Sequence, residues 1–254
     1  MSQSLTVKST MAQPLFSLNM ADVDNLFPGF APGDFAMLYG SPSIITLTSL
    51  LCIRAQLPAQ LGGLSSNVVF IDGGNTFRLY KIGRLAQLHH LNSKHVFERI
   101  SISRAFTAYQ LTSLILDKLE ETVQNYNAKL VVISDIAGFF LDNEVPHEEA
   151  QRIYSQIISY LSSFAKKHQI IIVATYLPYS DNTRNNLFQE ITCAKATAVL
   201  YLSKTNYTRE ITLEKHPSFV LGTAELPSEN LTLTDFMGEQ VTSTFAQTAL
   251  YSSF

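Results

Sequence analysis

The apolar run Phe35 to Tyr39 leads into Gly40-Ser41-Pro42-Ser43-Ile44-Ile45-Thr46-Leu47-Thr48, a glycine turn ahead of a helical-looking stretch. Strand, turn and helix in that order is the setting of a phosphate-binding loop. Such a loop needs glycines for close backbone approach, a lysine for the β- and γ-phosphates and a Ser or Thr hydroxyl for magnesium. Counted from Gly40, those three positions hold Ile45, Thr46 and Leu47. Gly40, Ser41, Ser43, Thr46 and Thr48 are what remains of a degenerate nucleotide-binding loop, and Pro42 removes one more backbone donor from it. The nearest cation, Arg54, lies too far along the following helix to stand in for the lysine.

Two acidic residues close apolar runs, Asp72 after Val68 to Ile71 and Asp135 after Leu130 to Ser134. Two carboxylates at strand ends could hold a divalent metal while loop amides hold phosphate, which would make a rearranged ATPase site needing ATP and magnesium. The bland alternative is a capped strand-end carboxylate. Tyr179, Arg184, Phe188 and Lys195 place two rings and two cations within 178–195, and the simplest reading of them is a solvated surface loop. Lys81, Arg84, Lys94 and Arg99, with His89, His90 and His95, read as a solvated face, and the histidine spacing is no metal-ligand set.

These residues need a scaffold. Short β-branched or apolar runs at Phe35 to Tyr39, Val68 to Asp72, Leu130 to Ser134 and Ile170 to Thr175 predict buried parallel strands. Between them, Leu111, Leu114, Ile115, Leu119 and Val123 recur at helical spacing, as do Ala150, Ile153, Ile157, Ile158, Leu161, Phe164 and Ala165. Alternation of this kind gives an α/β fold whose mostly parallel central sheet is flanked by helices. Ala198 to Leu202 and Glu210 to Leu213, joined across a polar turn, predict C-terminal antiparallel edge strands.

With 254 residues, 46% of them hydrophobic, the chain can bury one sizeable core. The expected division is a tail over 1–19, a core domain over 20–238 and a tail over 239–254. A net charge of -3 supplies no global basic field, which lowers the expectation of a stand-alone DNA binder. Cys52 and Cys193 have no partner at metal-ligand spacing and read as buried free thiols. Without a signal-like or membrane-spanning apolar run, a cytoplasmic protein with no membrane partner is expected.

Gln56-Leu57-Pro58, Gly62-Gly63-Leu64 and Val69-Phe70-Ile71-Asp72-Gly73-Gly74-Asn75-Thr76-Phe77-Arg78 fall in order. Together with Ser103-Arg104-Ala105-Phe106, Gln110 and the strand 131–140, they resemble the RecA/RadA-type recombinase family. The similarity runs over roughly residues 20 to 235. It implies a RecA-like, P-loop-type core. With about twenty residues ahead of that core, the family's separate N-terminal helical domain is expected to be absent.

The same resemblance implies losses. Counting back from Gln56-Leu57-Pro58 shifts the loop register by about two and still finds no lysine. The water-activating glutamate corresponds to Gly74, and the Walker B carboxylate position holds Ser134, with Asp135 one place late and turned to the other face unless a bulge intervenes. The γ-phosphate-sensing glutamine corresponds to Leu177. The first DNA-contacting loop, 141–151, carries Asp142, Glu144, Glu148 and Glu149, which repel a phosphate backbone, and the second, 178–195, keeps Tyr179, Arg184, Phe188 and Lys195 as candidate contacts for weak single-stranded DNA binding. For the Phe that joins recombinase protomers, Phe16 with Asn19 and Phe245 with Ala249 are poor matches. The reading is a non-catalytic paralogue with no cofactor, partnered with an active recombinase or another repair protein. The ATPase is its alternative, and a structural protein that borrowed the fold is a third.

Overall fold

Even- and odd-numbered residues of the central strands face opposite sides of the sheet, and both sets are apolar. Strands of that pattern must be covered twice. The computed structural model describes residues 15–142, 144–180, 182–205 and 208–227. Its elements are α1 (Ala21–Leu26), β1 (Phe35–Gly40), α2 (Ile44–Arg54), β2 (Asn67–Asp72), α3 (Leu79–Leu88), α4 (Ser93–Glu98), β3 (Ile100–Arg104), α5 (Ala108–Leu116) and α6 (Leu119–Tyr126). There follow β4 (Ala128–Ser134), α7 (Gly138–Leu141), α8 (His147–His168), β5 (Ile171–Tyr176), α9 (Thr183–Lys195), β6 (Ala198–Lys204), β7 (Arg209–Lys215) and β8 (Gly222–Glu225).

The strands form one sheet in the order β3-β2-β4-β5-β1-β6-β7-β8. Pairing is parallel from β3 through β6 and antiparallel for β6–β7 and β7–β8. The mostly parallel α/β fold with antiparallel C-terminal strands is thus as expected. Ala36, Leu38, Val68, Phe70, Leu130 and Val132 point to one face, where Leu50, Leu51 and Ile53 of α2 and Ile82 and Leu85 of α3 cover them. Phe35, Met37, Val69, Ile71, Val131 and Ile133 point to the other, under Leu111 and Ile115 of α5, Ile157 and Leu161 of α8 and Phe188 of α9.

Four expectations need correcting. Ile100–Arg104 is an additional strand: with only Ile100 buried, its alternating Ser residues give no apolar run, and it lies at the sheet edge. The apolar repeat over 111–123 is split into α5 and α6 at Asp117 and Lys118, whose amides both bond back to the Ser113 carbonyl. The 178–195 stretch is no loop: α9 occupies it from Thr183, with Asn182 Oδ1 accepting from the Asn185 amide at 2.9 Å. The tail expected over 1–19 ends earlier, because Phe16 and Leu18 are fully buried and Phe16 bridges Phe30. A Phe16 held in its own core is unavailable to a neighbouring protomer. Residues 1–14 and the 239–254 tail with Phe245 and Ala249 lie outside the described residues.

Candidate functional site

Chain reversal puts the chemistry at one edge of the sheet. From the carboxyl end of β1 the chain turns into α2 on one face, whereas from the adjacent end of β5 it passes to α9 on the other. Between two such neighbours a crevice opens, and open α/β sheets bind ligands there. The crevice here is a cavity of about 520 Å³ reached by Tyr39, Tyr176, Tyr179 and Tyr201.

The degenerate loop is not a cradle. α2 begins at Ile44, four positions after Gly40, whereas the lysine of a phosphate-binding loop stands six positions after its first glycine. The shortening by two agrees with the register counted from Gln56 and puts Ile44 at the lysine. The turn consumes its own donors: Ser41 N bonds to Leu202 O at 2.7 Å, Ser43 N to Ser41 Oγ, Ile44 N to Ser41 O, Ile45 N to Pro42 O and Thr46 N to Ser43 O. With Pro42 contributing no N–H, no amide from 41 to 46 is left pointing at an anion. Gly40 is required for a different purpose. At φ +103 its Cβ would lie 2.3 Å from Leu202 O, so close approach to β6, and not to a phosphate, selects glycine. Thr48 Oγ1 donates to Ile45 O inside the helix. Arg54, at the far end of α2, is buried and donates to the carbonyls of Ser17 and Leu61.

The carboxylates do not meet over a metal. Asp72 is fully buried and saturated: Thr76 N and Ser134 Oγ donate to Oδ1 at 2.8 and 2.7 Å, while Phe77 N and the Arg104 guanidinium donate to Oδ2, the latter at 3.0 Å through Nη2. It joins the ends of β2, β3 and β4. Ser134 stands opposite Asp72, and the register is in step from Val68 opposite Leu130 to that pair, so no bulge at this end returns Asp135 to that face. Asp135 instead takes a left-handed φ of 50, and its amide bonds Thr175 Oγ1 at 2.9 Å. Its carboxylate accepts a short hydrogen bond from Tyr179 Oη, and burial pushes its pKa up. Among the described residues no group of three His, Cys, Asp or Glu is placed to hold a metal. Magnesium and ATP held in the usual manner of such loops therefore do not fit the residues present, and the paired-carboxylate site expected for a rearranged ATPase is not formed.

Gly74 explains why the water-activating position is empty of side chain. A Cβ there would stand 2.6 Å from Asp135 Cβ, in space Asp135 already fills. Leu177, at the sensor position, packs against the α2 face of the core.

The candidate DNA contacts are dispersed. Phe188 is fully buried and stacks on Tyr154 with centroids 4.5 Å apart, so it presents no ring to a base. Lys195 closes α9, about 16 Å along the helix axis from Arg184 at 1.5 Å per residue. Arg184 lies over the Phe188 ring and donates to Val145 O at 3.0 Å, tying α9 to the acidic segment before α8. Only Tyr179 stays at the crevice.

Three cations that patterning had placed on a solvated face or passed over do reach the loop. Lys81 Nζ donates to Thr46 Oγ1 at 2.7 Å, and Arg78, Lys81 and Lys204 line a cavity of about 490 Å³ on the α3 side of the 41–46 turn. The available signal was position: Arg78 and Lys81 open a helix that leaves the same sheet edge as Gly40, and Lys204 ends β6 beside it.

A family model described as Rad51 matches residues 24–212. Over 144 residues the chain is 30% identical to the meiotic recombination protein DLH1 of Candida albicans, covering 56% of this chain and 44% of that protein. It is 29% identical over 139 residues to the DNA repair and recombination protein RadA of Aeropyrum pernix (54% and 43%). It is 26% identical over 145 residues to the meiotic recombination protein DMC1 of Saccharomyces cerevisiae (56% and 43%). The chain matches less than half the length of each of these relatives.

Proposed function

The chain belongs to the Rad51 family, and from that premise we propose that it is a non-catalytic paralogue modulating homologous recombination or DNA repair through an active recombinase or another repair protein in the cytoplasm. The observation that carries this reading is the 41–46 turn, whose amides are all spent internally and whose lysine position holds Ile44. A recombinase-type site without amide cradle, lysine, metal carboxylate or water-activating glutamate lacks each group that stabilises charge during phosphoryl transfer. What remains is a folded surface.

Support for a protein partner lies at the β3 edge. Among the described residues β3 pairs with β2 alone, and Ile102, Phe106 and Tyr109 are 44, 70 and 54% exposed in and just after it. A half-open strand edge flanked by exposed apolar side chains is a surface that another chain can extend. The test is to add the purified chain to an active recombinase assembling on single-stranded DNA. Filament length or lifetime is expected to change at substoichiometric chain, with no added turnover. An unchanged filament at excess chain, and no co-elution with the recombinase, would overturn the reading.

A further inference from the structure

Strand register sets a row of rings at the crevice. Tyr39 of β1 stands opposite Tyr176 of β5 and Tyr201 of β6, so three tyrosines lie side by side on the α8 and α9 face of three adjacent parallel strands. At about 4.8 Å between strands the row is roughly 10 Å wide. Across the cavity, Asn185 and Gln189 lie four apart on α9 and so share its crevice-facing side, with Tyr179 at the margin. We propose that this cavity binds a free, flat, uncharged nitrogen heterocycle with a lactam edge, stacked on the tyrosine rings and paired with the Gln189 amide. The inference is independent of the reading above: it needs neither hydrolysis nor a protein partner, and its failure would leave that reading standing.

Three observations point the same way. The first is how the rings are held. Tyr39 Oη donates to Glu214 at 2.6 Å, Tyr176 Oη to Asn185 Oδ1 at 2.7 Å, and Tyr179 Oη to Asp135. With these tips tied down, the three residues offer a ligand ring surface and not hydroxyls, fixed before anything binds. The second is their state. Burial pushes the hydroxyls of Tyr39, Tyr176 and Tyr179 above the ordinary phenol range, so the wall stays uncharged. Neutral rings stack on other flat rings, as Tyr39 and Tyr201 already approach to 5.0 Å between centroids, whereas a saturated ring has no π face to offer. The third is the polar edge. The Asn185 amide is spent on Tyr176 and Ser180, but the half-buried Gln189 amide makes no hydrogen bond among the described residues. A primary amide presents a donor beside an acceptor, the complement of the C=O and N–H of a lactam. The volume of about 520 Å³ accommodates such a ring, since small-molecule sites span roughly 300–1,000 Å³.

The full chain is titrated with riboflavin, followed by its emission, and with hypoxanthine by equilibrium dialysis. Both probes are flat and carry a lactam edge. Because the chain has no tryptophan, quenching of riboflavin on binding reports stacking on tyrosine. Saturable binding of at least one probe is expected, with maltotriose, a chain of saturated rings, failing to compete. Tyr201→Leu, which keeps an apolar side chain but removes the ring, is expected to weaken binding about three- to tenfold, the scale of one aromatic contact. Tyr201→Phe is expected to keep the affinity, which separates the ring from its hydroxyl and from folding. Gln189→Leu, on the half-buried side of α9, is expected to weaken binding about fivefold, the scale of one neutral hydrogen bond. Tyr126→Leu, at the opposite end of the sheet, is expected to leave it unchanged. No saturable binding of either probe, or binding indifferent to both Tyr201→Leu and Gln189→Leu, overturns the proposal. So does equal competition by maltotriose, while displacement by an oligothymidylate would assign the ring to a nucleic-acid base and overturn the assignment to a free heterocycle.

Discussion

Gly74 and Asp135 compete for one volume, so their identities are coupled and cannot be exchanged singly. Because a Cβ at 74 would sit 2.6 Å from Asp135 Cβ, Gly74→Ala is expected to destabilise by about 1–3 kcal/mol, a melting drop of roughly 2–10 °C. Asp135→Gly, tolerated at φ 50, should recover most of that loss in the double variant. Additive effects in a double-mutant cycle of thermal melts would refute the coupling. Restoring glutamate at 74 by itself is expected to disturb folding before it restores chemistry. Asp135 also makes a pH prediction. Burial raises its pKa, so between the ordinary aspartate range and that raised value the folded chain retains a proton that the unfolded chain has lost. Stability contributed in acid is thus lost as pH rises through this window. Asp135→Asn, which keeps an acceptor for Tyr179, should be more stable than the parent at neutral pH, with the gap closing in acid. A gap that widens in acid would contradict the sign.

At the level of elements, α9 shows what patterning can and cannot read. Its sequence, TRNNLFQEITCAK, buries only Asn185, Phe188 and Thr192, so no apolar stripe announces a helix, and the Asn-rich start resembles a loop. The buried strands were legible because apolar residues fill both faces of each. β3 was not, since an edge strand buries one side only. The site divides in the same way. Losses at Gly74, Ser134 and Leu177 are readable from the family resemblance, position by position, whereas the approach of Lys81 to Thr46 joins residues 35 apart and depends on how α3 packs on α2. Arg184 follows from α9 being a helix: its guanidinium spans Phe188 and Val145 O, so Arg184→Ala should lower stability by about 1–3 kcal/mol through that lost bond. Its effect on DNA affinity should be small. An affinity loss at unchanged melting temperature would return Arg184 to the DNA-contact set.

At the scale of the whole molecule, charged groups among the described residues are tied into the scaffold. Arg54, buried at the end of α2, anchors the entering segment through Ser17 O and Leu61 O. Asp72 clamps three strands with every acceptor in use. Arg54 and Asp72 are thus spent on internal acceptors and donors. The expectation is that the chain does not hydrolyse ATP. Loss of a positioned base costs about a hundred- to ten-thousand-fold, and each lost charge-stabilising contact adds a comparable factor. The deficit then exceeds what single-stranded DNA could restore. The measurement is phosphate release by the purified chain with and without single-stranded DNA, beside Asp72→Ala and Asp135→Ala. Asp72→Ala should unfold or strongly destabilise the protein, because Arg104 and Ser134 lose their partner, with turnover at background in all three. DNA-stimulated release that survives further purification, and that vanishes in a folded Asp135→Ala variant, would show that a reactive centre exists outside the closed turn.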